Sequence, residues 1–216
     1  MVYKSKDYNF VLRLITACVL APLVLLIIQL SGYYFMGMVI IAAIILGGEW
    51  FEMTRNKGNI WKLSGVAYIS LACLSLLWII DQNYLLTDSV RFNGVNTIIS
   101  IFIIVWANDI GGYFFGRFFG GPKLCPKVSP NKTWAGFFGG VLCALLMGPF
   151  LGENLGAVGL VAMVASIGDL LESWTKRACN TKDSGNLIPG HGGLLDRVDG
   201  ILLVSMLVAA GGLYLQ

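Results

Sequence analysis

GLVAMVASIGDLLESWTKR, residues 159–177, begins as an uncharged apolar run and ends as a charged segment. The first part is typical of a membrane-spanning helix. If the helix continues, Asp169, Glu172, Ser173 and Lys176 lie at i, i+3, i+4 and i+7, on one face. A carboxylate at the end of a span costs free energy unless it is paired, hydrated or metal-bound, which makes Asp169 a candidate for function. The alternative is an ordinary surface network with Lys176.

The whole chain is as apolar as this stretch. Of its 216 residues 56% are hydrophobic and 12% are charged, about half the charged share of a soluble domain, and the mean hydropathy is +0.75. Seven segments meet or approach the roughly 20 residues that cross a bilayer as a helix. They are 11–30, 33–51, 62–80, 95–107 (or 95–115), 134–151, 155–175 and 200–215. Continuous rather than alternating runs favour helices. The sequence predicts an all-α, polytopic integral membrane protein of about seven spans.

The distribution of basic residues predicts the orientation. If the N-terminus is in the cytoplasm, the inside segments are 1–13, 52–62, 108–133 and 168–199. They hold 14 of the 15 Lys and Arg residues, and only Arg91 falls outside. The positive-inside rule therefore predicts N-terminus in and C-terminus out, with both long polar segments on the cytoplasmic side. We divide the chain into N-terminal membrane helices, residues 1–94, and a catalytic membrane region, residues 95–216.

The segment KDSGNLIPGHGGLLDRVDG, residues 182–200, combines charges with glycines. Glycine lets backbone N–H groups approach an anion, basic side chains neutralise phosphate, and aspartates hold hard cations such as Mg²⁺. These groups suit a nucleoside triphosphate with its metal. The ionisable residues are Lys182, Asp183, His191, Asp196, Arg197 and Asp199. Asp196 and Asp199 could share a helical face. For His191 a structural hydrogen bond and a phosphate contact both stay open.

The segment NDIGGYFFGRFFGGPKLCPKVSPNKT, residues 108–133, is basic and rich in proline. The prolines exclude a regular helix over 122–130. Ser129 and Pro130 predict a helix start, with Ser at the N-cap and Pro at N1. The lysines suit phosphate or an anionic headgroup, or serve only as a topological anchor. Gly136 and Gly140, four residues apart, predict close helix packing just beyond the segment.

Several common motifs are absent from the sequence. It contains no GxxxxGK[ST], no GxGxxG and no HExxH, so a P-loop, a dinucleotide fold and a zinc protease are not indicated. The DGxxAR element of membrane CDP-alcohol phosphotransferases is missing too. The five cysteines form no CxxC pair, which predicts neither a disulfide framework nor a zinc site.

SWTKRACNTKDSGNLIPGHGGLLDRVD, residues 173–199, resembles the signature of the phosphatidate cytidylyltransferases, or CDP-diacylglycerol synthases. That pattern reads S-x-apolar-K-R-x4-K-D-x-small-x2-apolar-P-x-H-G-G-apolar-x-D-R-x-D. Thr175 departs from it, at a position that is usually apolar. Residues 108–136 also resemble this family, so the similarity covers roughly residues 105–200.

The resemblance implies that CTP and phosphatidic acid react to CDP-diacylglycerol and pyrophosphate in phospholipid biosynthesis. It implies an all-helical membrane fold, often a homodimer, with Mg²⁺ and room for a second, monovalent cation such as K⁺. The metal ligands would be Asp169 and Asp196. The expected partners are CTP, phosphatidic acid and membrane lipid, without nucleic acid. Size and the lack of extra domains suggest a bacterial inner membrane, with the active site facing the cytoplasm.

The resemblance also suggests residue roles. The phosphate of phosphatidic acid is already anionic, so the site needs charge neutralisation and in-line placement more than a strong base. Asp169, Asp196, Lys182, His191 and Arg197 are the expected catalytic set. His191 would contact phosphate or supply a proton. The expected substrate-binding residues are Ser129, Asn131, Lys132, Lys176, Arg177, Asp109, Asp183, Asp199 and Ser173.

Three other interpretations remain open at this point. A related CTP-dependent transferase could act on another lipid phosphate or alcohol. A transporter or channel would use the carboxylates as a cation path, although the charges lie at span ends on one side. A catalytically inactive scaffold is disfavoured by the intact set of acidic and basic residues.

Overall fold

The computed structural model describes residues 3–87, 90–185, 187 and 192–211. Within these ranges the chain forms seven helices and two short antiparallel hairpins. The helices are α1 (Tyr3–Leu30), α2 (Gly32–Met53), α3 (Asn59–Asp81), α4 (Gly94–Phe119), α5 (Trp134–Leu151), α6 (Leu155–Ala178) and α7 (Leu195–Gly211). The hairpins pair β1 (Asn83–Thr87) with β2 (Val90–Asn93), and β3 (Lys123–Cys125) with β4 (Ser129–Thr133). The all-α prediction is confirmed.

Five helices in the described part of the chain, α2 to α6, are long and apolar enough to cross a membrane. The α1 helix contributes a shorter apolar stretch, Cys18–Leu30, and α7 has 17 described residues. Large apolar side chains such as Ile44, Leu74 and Phe150 are exposed on the outer faces, as a lipid environment allows. The chain is a multi-pass membrane protein, while seven spans and the orientation of the termini stay predictions.

The core lies between α3, α4, α6 and α7, where side chains such as Ile79, Ile104, Val161 and Val204 are fully buried. The α4 and α5 helices approach each other through glycines. A Cβ at Gly136 would lie 2.8 Å from the carbonyl oxygen of Gly112. The close packing predicted from the glycine spacing is therefore confirmed for this helix pair.

The region between α4 and α5 differs from the prediction in two ways. The α4 helix continues to Phe119, so Asn108 and Asp109 are helical. The predicted helix start at Ser129 is wrong, because Ser129 and Pro130 belong to β4. Thr133 is the N-cap of α5 instead, and its Oγ1 accepts the Gly136 N–H at 3.1 Å. The hairpin pairing extends to Thr133, which delays the start of the helix.

Two predictions about the later helices hold. The α6 helix continues through the charged segment to Ala178, and α7 begins at Leu195. The carboxylates of Asp169 and Glu172 therefore lie on the last turns of α6, and those of Asp196 and Asp199 on the first turns of α7. These two helices pack side by side and bring the acidic groups together at one end of the bundle.

Candidate active site

A cavity of about 810 Å³ opens at the end of the bundle where α4, α5, α6 and α7 meet the β3–β4 hairpin. Its described lining is dense in charge. The carboxylates are those of Asp109, Asp169, Glu172, Asp183, Asp196 and Asp199, and the basic groups are those of Arg117, Lys132, Lys176 and Arg197. The acidic groups outnumber the basic ones, so the cavity needs additional positive charge when these carboxylates are ionised.

Lys176 links the two helices that carry the acidic groups. Its Nζ lies 2.5 Å from Glu172 Oε2, one turn back on α6, and 2.7 Å from Asp196 Oδ1 on α7. Glu172 is buried, and little of the Lys176 and Asp196 side chains is exposed: 13% and 9% of their surface. Buried charges require partners of this kind, because an isolated ion in the interior is costly. Lys176 thus helps to hold α6 and α7 together.

Lys132 joins the hairpin to α6. It lies on β4, and its Nζ forms a salt bridge with Asp169 Oδ2. Ser173 Oγ lies 3.5 Å from the other oxygen of Asp169, a long hydrogen bond. The two polar segments that the sequence places on one side of the membrane therefore meet directly in the structure.

Asp169, Glu172 and Asp199 form an acidic cluster that could hold a metal ion. One oxygen from each residue lies within 4.8 Å of the others. Glu172 Oε1 is buried and has no hydrogen-bond partner among the described residues. Converging carboxylate oxygens, one of them unpartnered, are the donor set that a hard divalent cation prefers. The cluster fits a divalent cation such as Mg²⁺.

Asp196, the second metal ligand implied by the sequence resemblance, lies outside this three-carboxylate cluster. Its Oδ2 accepts hydrogen bonds from Ser184 N at 3.1 Å, Ser184 Oγ at 3.0 Å and Gly193 N at 3.0 Å. Gly192 has a φ of +85°, and a Cβ there would lie 2.9 Å from the same oxygen. In this arrangement Asp196 orders the segment before α7. Its role as a metal ligand stays a prediction.

The structure brings some of the other predicted residues to the cavity and leaves others aside. Asp109, Asn131, Asp183, Asp199 and Arg197 line it together with Lys132 and Lys176. The described lining does not include Ser129, Ser173, Arg177 or Lys182. Arg177 instead holds the hairpin, because its Nε donates to Val128 O at 3.2 Å. His191 lies outside the described residues.

Several polar residues at or near the site were not predicted as site residues, among them Asn108 and Glu49. Asn108 is 4% exposed and lines the cavity. Its Nδ2 donates to Ser166 Oγ at 3.0 Å, while its Oδ1 has no partner among the described residues. Glu49 reaches the start of α7 from α2. An acidic residue inside an apolar segment was a usable signal for Glu49. Nothing in the sequence indicates which residues either side chain contacts.

Comparison with known proteins agrees with this geometry. A family model described as the cytidylyltransferase family matches residues 11–89 and 62–214, nearly the whole chain. The chain belongs to the cytidylyltransferase family. The resemblance seen in the sequence is thereby confirmed at the level of the family, and the match includes each helix that contributes to the cavity.

Several relatives carry the name phosphatidate cytidylyltransferase. The protein of Brucella suis is 42% identical over 175 residues, which are 77% of this chain and 60% of the relative. The protein of Staphylococcus epidermidis is 38% identical over 179 residues, 73% of this chain and 69% of the relative. The protein of Rickettsia bellii is 35% identical over 227 residues, 96% of this chain and 93% of the relative. The chain thus matches less than two thirds of the Brucella protein's length.

Proposed function

We propose that this chain is a phosphatidate cytidylyltransferase that converts CTP and phosphatidic acid to CDP-diacylglycerol and pyrophosphate. An oxygen of the lipid phosphate would attack the α-phosphorus of CTP, and the bond from that phosphorus to the β-phosphate oxygen would break. One observation carries the proposal beyond the names of the relatives. The cavity places the Asp169, Glu172 and Asp199 cluster beside basic side chains at the end of a membrane-spanning bundle.

The residues of the cavity suit a reaction between two anions. The nucleophile is already charged, so the main requirements are neutralisation and alignment. Arg197 on α7 and Lys132 on β4 both line the cavity and would neutralise the triphosphate and the lipid phosphate, respectively. Lys176 would keep Glu172 and Asp196 in place rather than bind substrate, because its Nζ is shared between them.

Asp169, Glu172 and Asp199 would hold the Mg²⁺ ion, with a second, monovalent cation such as K⁺ among the further carboxylates. When bound, Mg²⁺ would supply the positive charge that the triphosphate and leaving pyrophosphate require. The excess of carboxylates over basic groups in the lining supports a need for cations.

The surroundings of the cavity support access for a lipid. Tyr113 and Arg117 line the cavity on α4, and the neighbouring Phe114 and Phe118 are exposed on the same helix. Aromatic side chains are favoured at membrane interfaces. We infer that the cavity lies at the cytoplasmic face of a bacterial inner membrane, because the basic hairpin is at this end. The homodimer and the division at residue 94 also remain proposals.

The direct test is pyrophosphate release by the purified chain in detergent micelles. The complete mixture contains CTP, phosphatidic acid and Mg²⁺, and each component is omitted in turn. Release that needs all three, with ATP a poor substitute for CTP, is expected. Release with a polyprenyl phosphate or a lipid alcohol but not with phosphatidic acid would keep the chemistry and contradict the substrate. A folded protein that is inactive with every lipid would contradict the proposal.

A further inference from the structure

Glu49 is an acidic residue near the end of the largely apolar α2 helix, and its carboxylate reaches the start of α7. Leu194 N donates to Glu49 Oε1 at 2.8 Å, and Leu195 N donates to Oε2 at 2.8 Å. The described residues that line the cavity do not include Glu49. Its contacts are therefore with the backbone that leads into the site, about 145 positions away in the sequence.

These hydrogen bonds provide acceptors for N–H groups at the start of α7, where the neighbouring sequence offers no capping side chain. The first N–H groups of a helix have no acceptor within the helix, and a Ser, Thr, Asp or Asn at the N-cap usually provides one. Here the residue before Leu195 is Leu194, which has no polar side-chain atom. Glu49 provides both acceptors from a distant helix. A carboxylate is well suited to this position, because its charge strengthens the bonds and complements the helix dipole.

The segment before α7 is shaped around this carboxylate. A Cβ at Gly185 would lie 2.8 Å from Glu49 Oε1, and a Cβ at Gly193 would lie 2.7 Å from Oε2. Ser184 Oγ lies 3.3 Å from Glu49 Oε2 and 3.0 Å from Asp196 Oδ2. Ser184 thus connects Glu49 directly to a residue of the cavity.

We propose that Glu49 is a positioning residue for the nucleotide side of the cavity, the α7 side on which Arg197 would contact the triphosphate. It fixes the first turn of α7, and with it the direction of Asp196, Arg197 and Asp199. The kinetic part of this inference rests on the proposed cytidylyltransferase function, whereas the structural part does not. Small displacements of binding groups have large consequences for rate, on the order of 10²-fold for about 1 Å.

The test compares Glu49→Gln with a matched control on the same helix, Glu52→Gln. Glutamine is nearly the same size as glutamate, but it has only one acceptor oxygen. Its NH₂ group is a donor, so one of the two backbone N–H groups, of Leu194 or Leu195, would lose its acceptor. The side chain of Glu52 is 76% exposed and forms a salt bridge of 3.7 Å with the equally exposed Arg55, so its replacement should have little effect. The variants are purified as the full chain in detergent, and backbone hydrogen exchange is measured in peptides that cover 192–199.

We expect exchange at the Leu194 and Leu195 amides to be at least tenfold faster in Glu49→Gln, without change in α4 and α5 peptides. In the activity assay, the KM for CTP should rise at least fivefold while the KM for phosphatidic acid stays within twofold. A purely structural loss would lower the amount of active protein and leave both KM values unchanged. If Glu49→Gln does not accumulate, Glu49→Asp should show the same pattern with a smaller amplitude.

Unchanged exchange over 192–199, or faster exchange throughout the chain, would overturn the positioning role. Equal effects on both KM values, or none on either, would overturn its link to the nucleotide side. If the unmodified chain has no cytidylyltransferase activity, the proposed function fails, while the exchange comparison still decides whether Glu49 fixes α7.

Discussion

The two ends of the helix bundle treat buried carboxylates differently. At the cavity, Glu172 and Asp196 share Lys176, and Asp196 also accepts three hydrogen bonds from the segment before α7. At the far end of α5, about 27 Å away at ~1.5 Å per residue, Glu153 is 7% exposed. Its Oε1 accepts one hydrogen bond, from Ser100 Oγ at 2.5 Å, and its Oε2 has no partner among the described residues.

This comparison shows two ways of tolerating an acidic group away from water. At the cavity, the Lys176 ammonium group and two backbone N–H groups compensate the charge of the Asp196 carboxylate. At the opposite end no basic partner is found in the described structure, and burial raises the pKa of Glu153 to about 7, although the bond from Ser100 opposes the shift. There, protonation takes the place of an ion pair.

The largest effect is expected from Lys176→Met, which removes the ammonium group that Glu172 and Asp196 share. Two buried carboxylates would lose their common partner, which should destabilise the fold by ~3–5 kcal/mol and reduce activity at least 10²-fold. The measurements are thermal unfolding in detergent and pyrophosphate release. Lys127→Met is the matched control, because Lys127 is exposed on the hairpin and does not line the cavity. Equal stability of the two variants would contradict the role of Lys176.

A comparison of Asp169→Asn with Asp196→Asn should separate the two predicted metal ligands. Both variants should lower CTP-dependent product formation at least tenfold while the protein still inserts and folds. Asp169→Asn removes a member of the acidic cluster, so residual activity should need at least tenfold more Mg²⁺. If Asp196 also binds the metal, its variant shows the same shift in Mg²⁺ dependence. If it only orders the loop, the rate falls and the Mg²⁺ dependence is unchanged. Normal turnover in Asp196→Asn would contradict both roles.

The smallest effect is expected at Glu153, where Glu153→Gln mimics the protonated group. The folded chain holds this proton more tightly than the unfolded chain, in which the pKa is near 4.5. The free energy of unfolding therefore decreases as pH rises from about 4.5 to about 7, by up to ~3 kcal/mol. The melting temperatures of the unmodified chain and of Glu153→Gln should be similar at pH 5. At pH 8 the Glu153→Gln variant should have the higher melting temperature. If the melting temperatures of both proteins change in parallel between pH 5 and pH 8, Glu153 has an ordinary pKa. The substitution should leave activity unaffected.

The positions of the helices were predicted well where an apolar run is followed or preceded by charged residues, as in α6 and α7. The acidic face of α6 and the shared face of Asp196 and Asp199 followed from helical spacing alone. The extension of α4 to Phe119 was missed, because the glycines of 111–120 resemble a loop in sequence. In the fold they let α4 lie against α5, which stabilises the helix. Ser129 and Pro130 have the residue types of a helix start, but strand pairing with β3 overrides that local preference.

The contacts within the site were harder to predict than its location. The meeting of the two polar segments could be inferred from topology, since both lie at the same end of the spans. The pairing of Asp196 with Lys176, and that of Glu49 with α7, depends on which helices are neighbours. Charge counting does not contain that information. A single sequence therefore indicates the acidic groups but not which of them share a proton, a lysine or a metal.

The contact between α4 and α5 has a mechanical consequence for the cavity. These helices touch nearly backbone to backbone at Gly112 and Gly136, which leaves little room for one to slide against the other. They form a stiff wall. Another part of the lining, made of the β3–β4 hairpin and the start of α7, is a side-chain-tethered wall, held by bonds through Lys132 and Glu49. A bulky headgroup that enters the cavity would therefore displace the side-chain-tethered wall, and those two tethers would set how wide it opens.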